Sequence, residues 1–337
     1  MCGRLWIVKK ILVFLFLFII ILLFVFLRPV EVSYTQPKFG FSFNPEQAIY
    51  LSLDPKETYL ALLDGLKPSF IRIPVFWDQI QKSQDELDFS FIDWYLGEAK
   101  KRGVLVTVNL GYTTFRYPEC HEPRWAWDLE SEEFDKVLLK FLEKTTAHLS
   151  NFPNIEAWQV ENEQELWLLR PRCRIIKNGL FKREIETVRN ADSLRRPVVI
   201  TFGAQTRIGN FWQKRIVLGD IFAVSFFGKS YNKYLHAHTN RLWFRNLPVE
   251  KVVTEKGGKR FWISEFQAEP WGKTPLNKIS PEEARQTMNP QILKENIKLL
   301  KKFGGAERVY FWGVEWWYKE CLEGRSGMWE IGKSVLE

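Results

Sequence analysis

The chain has 337 residues, of which 46% are hydrophobic and 26% charged, and it carries a formal net charge of +8. Four of the 48 basic residues, Arg4, Lys9, Lys10 and Arg28, cluster at the N-terminus. The others are scattered rather than striped, which argues against a nucleic-acid-binding surface. Four cysteines are too few for a disulfide-framework protein.

The first element is Ile11–Leu27, 17 uninterrupted apolar residues. As a helix it covers about 26 Å, slightly less than a ~30 Å hydrocarbon core. The long stems of Lys9, Lys10 and Arg28 can snorkel to the headgroups and make up the difference. Basic residues ahead of the run keep the N-terminus cytoplasmic and send the remainder across the membrane. The segment Arg28-Pro29-Val30-Glu31-Val32 offers no small-residue cleavage site. Residues 1–28 therefore read as a cytoplasmic tip and signal-anchor transmembrane helix, rather than a cleaved signal peptide or a core helix. Residues 29–38 read as a linker with two prolines, and residues 39–337 as one large extracytoplasmic domain. The expected protein is single-pass, with the cytoplasmic membrane as a partner.

From residue 39 onward, short apolar runs alternate with amphipathic stretches, the pattern of a parallel sheet wrapped by helices. Strands are predicted near Phe39–Phe43, then at Phe70–Val75, Val104–Leu110, Ile155–Val160, Pro197–Phe202, Ile221–Phe226, Phe261–Ser264 and Arg308–Trp312. Helices are predicted at Lys56–Leu66, Phe91–Arg102, Glu133–Leu149, Phe181–Ala191 and Pro290–Phe303. Gly103 and Gly304 stand where C-terminal glycines belong, and Ser280-Pro281-Glu282-Glu283 reads as a capped helix start. Eight strands favour a closed (β/α)8 (TIM) barrel over an open doubly wound sheet. The open sheet would place a glycine-rich phosphate turn after its first strand, where this chain has Ser42-Phe43-Asn44-Pro45.

Barrel enzymes carry their chemistry at the C-terminal ends of strands. The fourth strand runs into Glu161-Asn162-Glu163, and the seventh into Ser264-Glu265-Phe266. Two carboxylates across one cleft are what glycosidic cleavage requires. One protonates the leaving oxygen, and the other attacks the anomeric carbon or activates water to do so. The alternative is that each glutamate is a loop residue in a salt bridge. The 15 tryptophans suit either a large core or flat sugar-stacking platforms.

On these residues the sequence resembles the retaining glycoside hydrolases of clan A. The resemblance rests on Asn162-Glu163 after strand four, Glu265 after strand seven, Arg72-Ile73-Pro74 with Trp77 at strand two, and Trp312 at the end of strand eight. Three stretches resemble bacterial cellulase-like proteins near family 5: Tyr117-Pro118-Glu119-Cys120-His121, Glu265-Phe266-Gln267-Ala268-Glu269-Pro270-Trp271, and Trp312-Gly313-Val314-Glu315-Trp316-Trp317-Tyr318. Together they cover roughly residues 39–330.

The resemblance implies that Glu163 is the general acid/base and Glu265 the nucleophile, with carboxyl groups about 5–5.5 Å apart. It implies that Asn162 contacts the sugar 2-hydroxyl and that Trp312 floors the subsite of the reacting sugar. Arg72 would lie beneath Glu265 and hold it ionised. Trp77 and Trp271 are expected to contact substrate, while His121 and Glu315 could either contact it or serve packing and an ion pair. Glu269 reads as loop-shaping, with the nucleophile role as its alternative, and Asp78 and Glu161 as structural. The family's tyrosine after strand six is absent from Ser225-Phe226-Phe227-Gly228, with Tyr231 a possible substitute. The end of strand five, Thr201-Phe202-Gly203-Ala204-Gln205, also departs from the family pattern.

Cys120 and Cys173 lie in loops after adjacent strands and could either pair or stay as thiols; with Cys321 there are three such cysteines, so at least one stays free. His236-Ala237-His238 lacks a third ligand at a suitable spacing, so neither a catalytic metal nor a cofactor is expected. The resulting expectation is a membrane-anchored retaining glycoside hydrolase acting on β-linked oligo- or polysaccharide. The alternatives are a transglycosylase or a weakly active or inactive carbohydrate-binding barrel.

Overall fold

A computed structural model describes residues 36–116, 119–163, 173–203, 218–233, 235–240, 254, 257–304 and 306–336. The apolar run Ile11–Leu27, and within the motifs Tyr117-Pro118 and Ala204-Gln205, lie outside the described residues. Among the described residues, no helix is long and apolar enough to cross a membrane.

Eight parallel strands close into a barrel: β1 (Lys38–Ser42), β2 (Phe70–Pro74), β3 (Leu105–Leu110), β4 (Ile155–Val160), β5 (Val198–Phe202), β6 (Ile221–Phe226), β7 (Arg260–Gln267) and β8 (Arg308–Trp312). Each pairs with its neighbours in sequence, and β8 closes onto β1 with Ser42 opposite Trp312. An antiparallel hairpin, Lys229–Asn232 with Ala237–Asn240, follows β6. Strands covered on both faces need apolar side chains in both directions, and β2, β5 and β6 are buried along their whole length.

The helices start where local chemistry dictates. α1 (Pro45–Tyr50), α2 (Pro55–Leu66), α7 (Pro281–Thr287) and α8 (Pro290–Phe303) each begin with proline behind a capping side chain. Asn44, Asp54, Ser280 and Asn289 accept the orphan N–H groups of the first turn. Between these come α3 (Trp77–Ile80), α4 (Ser90–Lys101), α5 (Ser131–Leu149) and α6 (Asn178–Ala191), and after β8 come α9 (Val314–Leu322) and α10 (Gly327–Leu336). α5 buries Phe134, Leu138, Phe141, Leu142, Thr145 and Leu149, a stripe at helical spacing that packs onto the barrel.

The barrel interior explains where the polar groups go. Its lower end is plugged by Phe70, Trp262 and Tyr310, facing Ala157, Val199, Ile221 and Ala223. Side chains two residues apart on a strand share a face. One step toward the mouth from Phe70, Ala157, Val199, Ala223 and Tyr310 therefore stand Arg72, Gln159, Thr201, Ser225 and Trp312. Beneath lies an apolar floor; above it, Arg72, Gln159, Thr201 and Ser225 are polar inward positions.

Trp77 corrects the sequence expectation. It is fully buried in the first turn of α3, stacked on Phe141 at 5.3 Å, with Trp125 at 6.0 Å. Its Nε1 donates to Gln81 at 2.8 Å. The chain leaves β2 over the outside of the barrel, so this indole is core rather than cleft.

Cys120 and Cys173 form a disulfide with Cα atoms 5.7 Å apart. It ties the loop after β3 to the segment after β4. The bridge closes a separation of 53 residues, so replacing both cysteines by serine should cost about 4 kcal/mol of stability by chain entropy. Thermal melts of the double variant, and of the native protein with and without reductant, check this.

Candidate active site

Arg72 is the hub at the bottom of the site. Its Nε donates to Gln159 Oε1 (2.6 Å), one terminal nitrogen donates to Asn162 Oδ1 (2.8 Å), and the other faces Glu265 Oε1 (3.4 Å) and Ser264 O (3.2 Å). The Phe115 ring stacks under the guanidinium at 4.0 Å. A cation this deep requires such a set of partners, because an unpaired buried charge is costly.

β4 ends in a strained turn. Glu161 and Glu163 both adopt positive φ, 61° and 43°, a conformation costing roughly 1–2 kcal/mol for a residue with a Cβ. The Glu161 carboxylate holds the turn by accepting from the backbone N–H groups of Tyr112 (2.6 Å) and Thr113 (2.7 Å) and from the Thr113 hydroxyl. Gly111, at φ 139°, makes room, since a Cβ there would sit 2.6 Å from Glu161 Oε1. Glu161 is thus structural, as expected. Asn162 has its oxygen fixed by Arg72 and by Gln159 Nε2 (3.0 Å). The Glu163 N–H donates to Thr201 Oγ1 at 3.0 Å.

β7 delivers Glu265 by an irregularity. Ile263 pairs with Val224 on β6, yet the next pair is Glu265 with Ser225, so Ser264 is an extra residue. A matching register shift separates β7 from β8. Such a bulge re-aims the following side chain and places Glu265, rather than Ser264, inward beside Ser225. The Ser225 hydroxyl donates to Glu163 Oε1, while Ser225 and Glu265 are partners in the strand register. Burial pushes the Glu265 carboxyl above its ordinary value, with Arg72 and then Arg116 opposing the rise. Arg72 therefore favours the ionised form but does not fully offset desolvation.

The two glutamates and Asn162 line a cavity of about 750 Å³. Tyr231 and Trp271 also line it. The Tyr231 N–H donates to the Trp271 carbonyl at 2.8 Å, and the Trp271 ring packs on Phe227 at 4.3 Å. Trp312 reaches the cavity too, but it is only 6% exposed, and the Arg116 guanidinium covers its ring at 4.2 Å. His121 does not line the cavity: it is buried against Phe76 at 4.2 Å, with Nδ1 3.4 Å from Asp78. Of the two readings for this histidine, packing is the one observed. Arg72 lies beneath the lining, where it was expected.

Glu315 is fully buried behind the wall and does not line the cavity. Its Oε1 accepts from the Asn44 N–H at 2.7 Å, and its Oε2 lies 3.7 Å from Arg116. Burial pushes its carboxyl up to about 7, against the pull of Arg116 and the Asn44 N–H. A folded-state pKa above the unfolded one means this group favours folding below about pH 4.5 and loses that contribution as pH rises toward 7. Glu315→Gln should therefore match the native stability at pH 4 and exceed it at pH 8 by up to roughly 3 kcal/mol. Denaturant titrations at the two pH values check this.

Sequence reasoning missed Ser225, Arg116, Phe227 and the rim residues Glu46, Gln47 and Tyr50, all of which line the cavity. Ser225 had a signal, its position two residues beyond an inward alanine on β6. Arg116 had none, since its placement depends on a positive φ of 77°. Glu269, read as loop-shaping, also stands in the cavity wall.

No protein-family model and no curated protein matches the sequence. Solved structures do match. A GH5_18 protein from Bifidobacterium longum subsp. longum, in complex with Manβ1-4GlcNAc, has a TM-score of 0.62 at 12% identity, covering 88% of this chain and 78% of that one. GH5_18 from Streptomyces cattleya, in complex with GlcNAc, has a TM-score of 0.59 at 13% identity, covering 83% and 71%. Xylanase 10B from Thermotoga petrophila, in complex with xylobiose, has a TM-score of 0.55 at 14% identity, covering 82% of each chain. At these identities the likeness is one of fold, and the chain shares the (β/α)8 barrel of these proteins.

Proposed function

We propose that the protein is a retaining glycoside hydrolase, anchored in the cytoplasmic membrane, that cleaves β-linked glycans outside it. The observation that carries this reading is that Glu163 and Glu265 line one cavity, with Ser225, the register partner of Glu265, donating to Glu163 and with Arg72 against Glu265. Retention requires the two carboxyl groups to lie ~5–5.5 Å apart, against the ~6.5–9.5 Å that leaves room for an inverting water. Glu265, beside the Arg72 cation, is the nucleophile. Glu163 protonates the leaving oxygen and later deprotonates the incoming water. With the Asn162 oxygen held by Arg72 and Gln159, its amide nitrogen is the natural donor to a sugar hydroxyl. The fold shared with GH5_18 and xylanase 10B structures supports the same reading.

The Cys120–Cys173 disulfide favours an oxidising compartment, which agrees with translocation behind a signal anchor at Ile11–Leu27. Protease accessibility on intact cells, with the protein in the membrane fraction, tests the topology. For the chemistry, proton NMR of the first-formed sugar from an aryl β-glycoside should show retained configuration. Initial inversion would contradict the mechanism.

A further inference from the structure

The cavity wall next to Glu265 contains a second built constellation that the two-carboxylate mechanism does not use. Arg116 donates through both terminal nitrogens to the two oxygens of Glu269, each at 2.9 Å. The Glu269 Oε1 also accepts from Trp312 Nε1 at 2.9 Å. Burial works against the Arg116 charge, but Glu269 and Glu315 outweigh it and hold the guanidinium above its ordinary value. The seat is costly to make. Arg116 takes a left-handed backbone at φ 77°, and Gly313, at φ 102°, lets Glu269 approach so closely that a Cβ there would lie 2.3 Å from Glu269 Cβ. Strain of this kind concentrates at functional sites.

The hydrogen-bond inventory says what this pair can hold. A guanidinium has five N–H donors and a carboxylate about four acceptor positions. Glu269 takes two of the Arg116 donors, and Glu315, 3.7 Å away, faces a third. Arg116 and Trp312 fill three acceptor positions of Glu269. The pair thus keeps donors and one acceptor side by side, both residues line the cavity, and Arg116 acts electrostatically on Glu265. Arg116 also covers a face of Trp312, so that face is not open for sugar stacking.

We propose that Arg116 and Glu269 form a specificity-determining pair that binds two adjacent, unsubstituted hydroxyls of the sugar lying against Glu265. Glu269 accepts from one hydroxyl, and Arg116 donates to the other. This inference rests on the glycosidase reading and names its substrate class: a neutral glycone with a free vicinal diol. A carboxylate or phosphate at the carbon that faces Glu269 would be repelled.

The test uses the full-length protein and the aryl β-glycoside that it hydrolyses best, together with the monodeoxy versions of that glycoside. Native protein should lose about tenfold or more in kcat/KM for deoxygenation at each of two neighbouring carbons, and less at the other positions. Glu269→Gln should flatten the discrimination at one of those carbons, and Arg116→Lys at the other. Native protein that discriminates against no neighbouring pair overturns the inference while leaving the glycosidase reading intact. That arm needs no variant to fold. Variants that slow parent and deoxy substrates equally would also overturn it. Native protein that hydrolyses no glycoside would bring down both readings.

Discussion

Glu265→Ala should lower turnover of aryl β-glycosides by more than about 10⁴-fold, because double displacement has no first step without its nucleophile. Glu163→Ala should behave differently. An acid catalyst contributes roughly 10²–10⁴-fold, and it matters most when the leaving group is poor. That variant should therefore keep much of its first step on a dinitrophenyl glycoside and lose it on a plain phenyl glycoside. Azide separates the two roles by stereochemistry. In the Glu265→Ala protein, azide enters from the vacated side and gives the inverted glycosyl azide. In the Glu163→Ala protein, it attacks the glycosyl-enzyme and gives the retained one. Identical azide products from both variants would mean that the roles are wrongly assigned.

Arg72→Met should have the second-largest effect, on stability and chemistry together. It removes the donor set of Gln159, Asn162 and Glu265 in a layer that excludes water. Breaking a buried pair on one side costs about 3–5 kcal/mol, which denaturant titration would register. Glu265 must be ionised to attack, and Arg72 is the largest influence opposing the rise caused by its burial. Without Arg72 its pKa climbs further, so the acid limb of the pH–rate profile moves to higher pH. Activity should fall more at pH 5 than at pH 8. Equal losses at both would assign Arg72 a structural role only. Arg72→Lys, which keeps the charge but loses the fork geometry, should shift the limb less.

The barrel was legible because parallel strands are buried on both faces and so appear as short apolar runs. The breaks between them carry proline, asparagine and serine in capping positions. Glu163 and Glu265 stood out as a pair, one after each of two strands and the first beside Asn162, whereas Glu161, directly after the fourth strand, is structural. Other residues of the site depend on geometry that sequence does not carry. Ser225 gained its place because the extra residue Ser264 brings Glu265 into register with it. Arg116 and Glu269 lie 153 positions apart and meet only when the loops after β3 and β7 face each other across the barrel mouth. Trp77 shows the converse error. It follows β2 as a cleft residue would, yet α3 turns its indole into the packing against α5.

Covalent trapping tests the central claim most directly. The purified protein would be incubated with a panel of 2-fluoro glycosides, then examined by intact mass and peptide mapping. The structure leads us to expect a single sugar adduct on Glu265, whose identity also names the sugar bound there. An adduct on Glu269, four residues away in the same cavity wall, would contradict the assignment of the nucleophile and the recognition role given to Arg116 and Glu269.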